Sequence, residues 1–426
     1  MRLPVVAAVA AIVAATPVLA QVAPPLNGRA HDLIGVLNGT ATPDSLFAPA
    51  FLTQVPATQV IAISNQLRAG LGKALTVADL IQTGPNAVKL TINYEYGRVE
   101  MTMAIDPDTT QIVGLRITGA SAPGKTPAQV IEALHALPGR TGFVVAKLGD
   151  GTPQIIAGSD ADTPIAVGSA FKLMILAELV RETSANERKW TDTVTLDGRE
   201  LPGGTYRTMP AGTKVTLLEL AQKMISISDN SATDILLATL GREKVEAMLP
   251  VVGVKDPARN RPYLSTLEAF KIKGGARFAA AWPTLNESGR RALLKQIDAS
   301  PISAIDPALY KDGKPILIDQ AEWFFSPTDL VRILDWLRIH TESGPGAEAR
   351  AVLGINPGIG RGPDNAQWSY VGYKGGSEPG VIAMAFLLQG KDGWYAITGG
   401  WNNPVAPVEE GRFAGLMGGA VNSVGK

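Results

Sequence analysis

The residues with the most chemical reach are a serine and a lysine three positions apart, Ser169 and Lys172, at the head of the run Val167–Glu182. From Ala170 to Val180 this run is apolar on nearly every side, the pattern of a helix sunk in a large core rather than lying on a surface. Lys172 follows Ser169 by one turn, so ammonium and hydroxyl project from the same face, close enough to exchange a proton. Burial strips hydration from the charged lysine, lowers its pKa and lets it act as a base. Ser169 is then a candidate nucleophile, and its own N–H, free at a helix start, can help bind an oxyanion. Spacing alone does not specify this: a second Ser-x-x-Lys, Ser423 to Lys426, lies in the tail.

Two further polar segments are placed where side chains can be held rigidly. Thr216-Leu-Leu-Glu219 is a capping-box pattern opening an amphipathic helix to about Ser226. Ser228-Asp229-Asn230 follows, and Ser231 begins another helix that Gly241 closes. A short polar loop between two apolar helices fixes a hydroxyl and an amide, although the same residue types are also ordinary helix caps. Near the C-terminus, a strand over Ser369–Tyr373 leads into Lys374-Gly375-Gly376-Ser377 and a turn at Glu378-Pro379-Gly380.

In order, Ser169-Ala-Phe-Lys172, Ser228-Asp229-Asn230 and Lys374-Gly375-Gly376 resemble the set Ser-x-x-Lys, Ser-Asp-Asn and Lys-Thr-Gly shared by class A β-lactamases and penicillin-binding proteins. Leu217–Gly241 is especially similar, and the resemblance covers about Thr126 to the C-terminus. It implies that Ser169 attacks a carbonyl and becomes acylated, with Lys172 helping to remove its proton. It implies further that Ser228 passes a proton to the leaving atom, that Asn230 orients substrate and Lys172, and that Lys374 meets a substrate carboxylate beside Ser228. Ser377 would add a hydroxyl, Gly376 would belong to the substrate-binding edge, and the N–H groups of Ser169 and Ser377 would form the oxyanion hole. Two departures stand out. Gly375 replaces the usual Thr or Ser. Arg259-Asn-Arg-Pro-Tyr-Leu-Ser265 falls where class A enzymes carry Arg-x-Glu-Pro-x-Leu-Asn, so Arg261 takes the place of the deacylating glutamate and Ser265 that of its asparagine partner. An arginine cannot serve as a base at ordinary pH; Glu268, seven positions on, is the nearest replacement.

The whole chain must support such a site. At 426 residues it is long enough for two or three domains, nearly half of it is apolar, and 39 Lys and Arg balance 39 Asp and Glu. No basic excess points to nucleic acid or anionic membranes. Without cysteine there is no disulfide, thiolate nucleophile or zinc–cysteine site. No cofactor is expected and no metal cluster stands out; the three histidines, His31, His135 and His340, are scattered, which argues against a Ser-His-Asp triad. Met1-Arg2, an apolar run from Leu3 to Ala20 and the small-residue end before Gln21 read as a secretory signal, 1–20, so the mature protein is expected to be secreted or periplasmic, with no span left after cleavage. Its oligomeric state is not legible.

Residues 30–118 are expected to form a small α+β accessory domain: helices around His31–Leu37 and Val60–Leu71, then strands at Val88–Tyr94, Val99–Ile105 and Ile112–Thr118. Its element order resembles the cone-shaped steroid-isomerase type, but no acid/base pair is evident in it. Gly119–Pro127 reads as a linker. The second domain, 128–426, opens with a helix at Ala128–Ala136 and strands at Gly142–Lys147 and Gln154–Gly158. It closes with strands Ser369–Tyr373, Val381–Leu388 and Trp394–Thr398 and a helix at about Val408–Val421. Strands at both ends with helices between imply one sheet assembled from distant segments with a helical insertion beside it, an α+β fold; the resemblance implies the antiparallel sheet and helical lobe of a β-lactamase/transpeptidase-like domain. The expected partner is a small molecule: a β-lactam, an ester or a cell-wall peptide. Three readings remain open: an exported hydrolase working through an acyl-serine, a D-alanyl-D-alanine peptidase or esterase, and a penicillin-binding receptor that is acylated without turnover.

Overall fold

A computed structural model describes residues 22–121, 125–358 and 366–425. The segment read as a signal, 1–20, lies outside the described residues.

The N-terminal elements pack around a core of their own. Helix Pro24–Leu37 lies on an antiparallel sheet of four strands in sequence order, Ala74–Gly84, Ala87–Tyr94, Arg98–Ile105 and Ile112–Ser121, and helix Ala57–Leu71 packs against that helix. The unit thus starts before residue 30 and ends past 118, and the first part of the expected linker, through Ser121, is strand. Period-two burial of Val88, Leu90 and Ile92, then Val99, Met101 and Met103, directs one face at the helices. The strand Ala74–Gly84 is not anticipated from sequence. It is a mostly exposed edge whose register shifts three times against its neighbour, so no alternation marks it. Asp106 closes the turn between Arg98–Ile105 and Ile112–Ser121 by accepting from the N–H groups of Asp108 and Thr109.

The remaining chain builds a five-stranded antiparallel sheet in the order Tyr370–Glu378, Val381–Gly390, Gly393–Asn402, Arg140–Leu148, Gln154–Ser159. Strands from both ends of the segment therefore share one sheet. Alternate residues feed two cores: Val144, Ala146, Ala383, Ala385 and Leu387 face the helical lobe, while Phe143, Val145, Ile382, Phe386 and Leu388 face helices Pro127–His135 and Glu410–Ser423. Helix Glu410–Ser423 also packs on Ala57–Leu71, joining the two units. Lys374–Ser377 lies inside the strand Tyr370–Glu378 rather than after it, and Glu378 is that strand's last residue rather than part of a turn. Two glycines in a row hide the strand from a propensity reading.

The helix Lys172–Ser184 runs through the lobe with nearly every side chain buried, and Gly168–Phe171 precedes it as a 3-10 turn. A short antiparallel pair, Ile165–Ala166 with Phe324–Phe325, pins the chain just before that turn. Asn402 clamps Ala166 through both its N–H (2.7 Å) and its C=O (2.9 Å). The second Ser-x-x-Lys is structural at its serine: Ser423 Oγ donates to Lys125 O at 2.7 Å, and Lys426 lies outside the described residues.

Candidate active site

Ser169 sits in the 3-10 turn, partly open to a cleft, one turn before the fully buried Lys172. The Lys172 Nζ donates to Ser228 O (2.7 Å), Asn230 Oδ1 (2.7 Å) and Ser228 Oγ (3.1 Å). Those three acceptors match the three protons of an ammonium. Burial nevertheless holds its pKa down to about 7, against the raising influence of Asp234 and Asp229. Near neutrality the amine is therefore close to half deprotonated, with a lone pair free to take a proton.

The second segment reaches Lys172 because its middle residue caps a helix. Asp229 is the N-cap of Asn230–Leu240, accepting from Ala232 N at 2.9 Å, and it also binds Thr205 N at 2.6 Å and Ser231 Oγ at 2.6 Å. With Asp229 so engaged, Ser228 and Asn230 on either side turn toward the lysine. The cap at Asp229 and the contacts of Ser228 and Asn230 with Lys172 coexist in this tripeptide. Ser228 takes φ +58°, a left-handed conformation that costs a residue with a side chain about 1–3 kcal/mol and is kept only where surrounding contacts over-determine it.

Lys374 completes the group. Its Nζ donates to Ser228 Oγ at 3.0 Å and Gly375 O at 2.6 Å. Burial, then the neighbouring Lys172 charge, pushes its pKa well below the lysine range. Ser228 Oγ thus accepts from the amines of both lysines, which leaves its own O–H free to donate elsewhere. A carboxylate arriving there would relieve the repulsion between the two lysines.

Glycine is required where this strand meets the nucleophile. A Cβ on Gly376 would collide with Ser169 N, Val167 O and the Gly168 carbonyl carbon, and one on Gly168, φ +48°, would lie 3.1 Å from Ser377 N. Backbones approach this closely only without side chains, and the approach sets Ser169 N–H beside Ser377 N–H. Ser377 itself is exposed at the cleft edge. The departure at Gly375 has a local cause: a Cβ there would run into the Tyr373 hydroxyl, so that ring, packed on Phe386 at 4.7 Å, fills the space a threonine would need.

The loop 259–265 is anchored to the site by backbone contacts. Tyr263 Oη donates to Phe171 O at 2.7 Å, Asn260 brackets Phe324 through both backbone polar groups, and Asp234 accepts from Thr266 N (2.7 Å) and Leu267 N (2.9 Å). Neither Arg261 nor Glu268 lines the cleft that contains Ser169. Glu268 is fully engaged: it closes a capping box with Ser265 at the start of Thr266–Gly274 and pairs with Arg242 at 2.6 Å, beside a separate cavity. It is a cap and ion-pair partner, which removes it as a replacement base.

The Ser169 cleft, about 310 Å³, has a far wall that sequence reasoning missed: Lys273, Tyr310, Glu322 and Glu378. Lys273 Nζ bonds Glu322 Oε1 and, at 2.5 Å, Glu378 Oε1. A lysine at the buried end of a helix, with two glutamates far apart in sequence, leaves no local signal. Among the described residues no group of His, Cys, Asp and Glu is arranged to hold a metal ion, and no helix is long and apolar enough to cross a membrane.

Residues 126–288 match the model of the Beta-lactamase enzyme family. No curated protein matches the chain. Similar solved structures include a β-lactamase from Sphaerobacter thermophilus DSM 20745, 18% identical over 69% of this chain and 94% of that one (TM-score 0.47). A β-lactamase from Chitinophaga pinensis DSM 2588 is 16% identical over 68% and 94% (TM-score 0.44), and PBP-A is 16% identical over 71% and 97% (TM-score 0.46).

Proposed function

We infer, from a chain whose residues 126–288 match the Beta-lactamase enzyme family, that Ser169 is acylated by a small amide or ester, a β-lactam foremost. The observation that carries this is the meeting of Lys172, Ser228, Asn230 and Lys374 within 2.7–3.1 Å around one hydroxyl and one amide, one turn from Ser169. Neutral Lys172 takes the Ser169 proton as Oγ attacks the carbonyl carbon, and the oxyanion settles between the N–H groups of Ser169 and Ser377. Ser228, held by two lysines, donates its proton to the leaving nitrogen or oxygen and is reprotonated through Lys172. Lys374 and Asn230 fix the substrate.

The class A pattern, with Arg261 at the place of the deacylating glutamate, favours slow β-lactam turnover unless another base contributes. Export to the periplasm or the medium belongs to the same reading, on the strength of residues 1–20. The N-terminal unit, with no evident acid/base pair, is assigned packing or recognition. An esterase or D-alanyl-D-alanine peptidase uses the same residues, and a receptor that stays acylated lacks only the second step.

Intact-mass measurement with a penicillin over time, beside Ser169→Ala, tests this. A mass increase equal to the penicillin, absent in the variant, is expected; adduct or turnover undiminished in the variant would refute the role of Ser169. Release of D-alanine from a short peptide would mark the peptidase.

A further inference from the structure

Along the strand Tyr370–Glu378, side chains alternate, so Lys374, Gly376 and Glu378 share a face. Lys374 meets Ser228 and Gly376 meets Ser169 N on that face; Glu378, next along it, lines the same cleft with its side chain 12% exposed. Its carboxylate is held from behind: Oε1 by Lys273 Nζ at 2.5 Å and Oε2 by the Tyr310 hydroxyl at 2.8 Å. Lys273 also bonds Glu322 Oε1, leaving Glu322 Oε2 buried with no donor among the described residues. Asn230 and Thr266 close the cleft on the side of the helical lobe. A carboxylate fixed on two sides, open on the third and sharing a small cleft with an acylated serine is what water activation requires.

We propose that Glu378 is the catalytic base that draws a proton from water as it attacks acyl-Ser169, with Lys273, Tyr310 and Glu322 as positioning residues. This rests on acylation of Ser169 as inferred above. Water oxygen bonds to the acyl carbon while its proton passes to Glu378. The oxyanion collapses, the bond from acyl carbon to Ser169 Oγ breaks, and Glu378 returns the proton to Oγ. The products are a free acid and the starting enzyme, with no other reactant. Burial, then the Glu378 charge, pushes the Glu322 pKa up to about 8 against the pull of Lys273. Protonated Glu322 donates toward Glu378 and competes with water for its carboxylate; loss of that proton frees it. The groups facing Glu322 are Glu378 from the strand, Lys273 from the helix and Tyr310 from the preceding loop. Deacylation therefore rises with pH through about 8.

The test follows adduct formation and decay by mass, using a chromogenic cephalosporin and a p-nitrophenyl ester, in the full-length protein and in Glu378→Gln. The variant is expected to acylate within about threefold of the parent and to deacylate about 10²- to 10⁴-fold more slowly. Glu378→Asp, which keeps the charge and withdraws it, gives the same split if the glutamine variant does not fold. Glu322→Gln, permanently neutral, is expected to lose the limb near pH 8 and keep acylation. Decay in Glu378→Gln at the parental rate overturns this proposal and leaves the acyl-serine intact. So does an adduct that persists on the parent. Failure of the parent to form any adduct overturns both readings.

Discussion

Two lysines lie near Ser169, one a turn beyond it and one lining its cleft, both buried, and they meet opposite fates. Lys172 is surrounded by a carbonyl, a hydroxyl and an amide, none of them charged, and its pKa falls to about 7. Lys273 lies between two carboxylates, and despite the same loss of hydration its pKa is raised. Burial alone therefore does not make a base; burial among neutral oxygens does, and burial between anions makes a fixed cation. One lysine can accept a proton, and the other can hold a carboxylate in place.

The largest change expected on breaking this contrast is in rate. Lys172→Ala should slow acylation by about 10²- to 10⁴-fold, and Lys172→Arg should not recover it, because guanidinium does not deprotonate at working pH. In the parent, the lysine is a base only when neutral, and the neutral fraction grows as pH rises through about 7. Acylation measured by stopped flow should climb over that range, and a flat profile from pH 5.5 to 8.5 would deny Lys172 the role.

At the other lysine the expected change is in stability. Lys273→Met leaves Glu322 and Glu378 facing each other without a cation, which should cost about 3–5 kcal/mol at pH 8. Protonation removes the repulsion, so urea midpoints for this variant, relative to the parent, should improve from pH 8 to pH 5. A pH-independent loss would mean that packing alone is affected.

Gly376→Ala tests the close approach of strand and nucleophile. Forcing a methyl against Ser169 N should cost about 1–3 kcal/mol and about 10²-fold in acylation through displaced oxyanion donors. Smallest should be Tyr263→Phe, which leaves Phe171 O buried without its donor. About 1–3 kcal/mol in thermal unfolding is expected, with little change in acylation if the loop is held by its other bonds.

Legibility differed between the two surroundings for a physical reason. Ser169 to Lys172 and Ser228 to Asn230 are short-range patterns on helix starts, where spacing of a few residues already implies a shared face. Helix Leu217–Ser226 was readable from its capping box, and Val381–Gly390 from a continuous apolar run between turns. The edge strand Ala74–Gly84 was not, since exposure and bulges erase the period. Lys374–Glu378 read as strand end and turn because glycine has little strand propensity, whereas in the fold those glycines admit the nucleophile's backbone. Glu268 was proposed on proximity along the chain, and the structure spends it on Ser265 and Arg242.

What the amino-acid order determined by itself was the local chemistry: a nucleophile–amine pair in an apolar helix, a capped polar loop, and a lysine before two glycines. Folding alone decided how Lys273, Glu322 and Glu378, separated by 49 and 56 positions along the chain, came to share one carboxylate–ammonium cluster behind Ser169. Sequence spacing constrains contacts within a turn or two; beyond that, which charges meet depends on how sheet and helices close on each other, and the fate of each buried charge depends on that meeting.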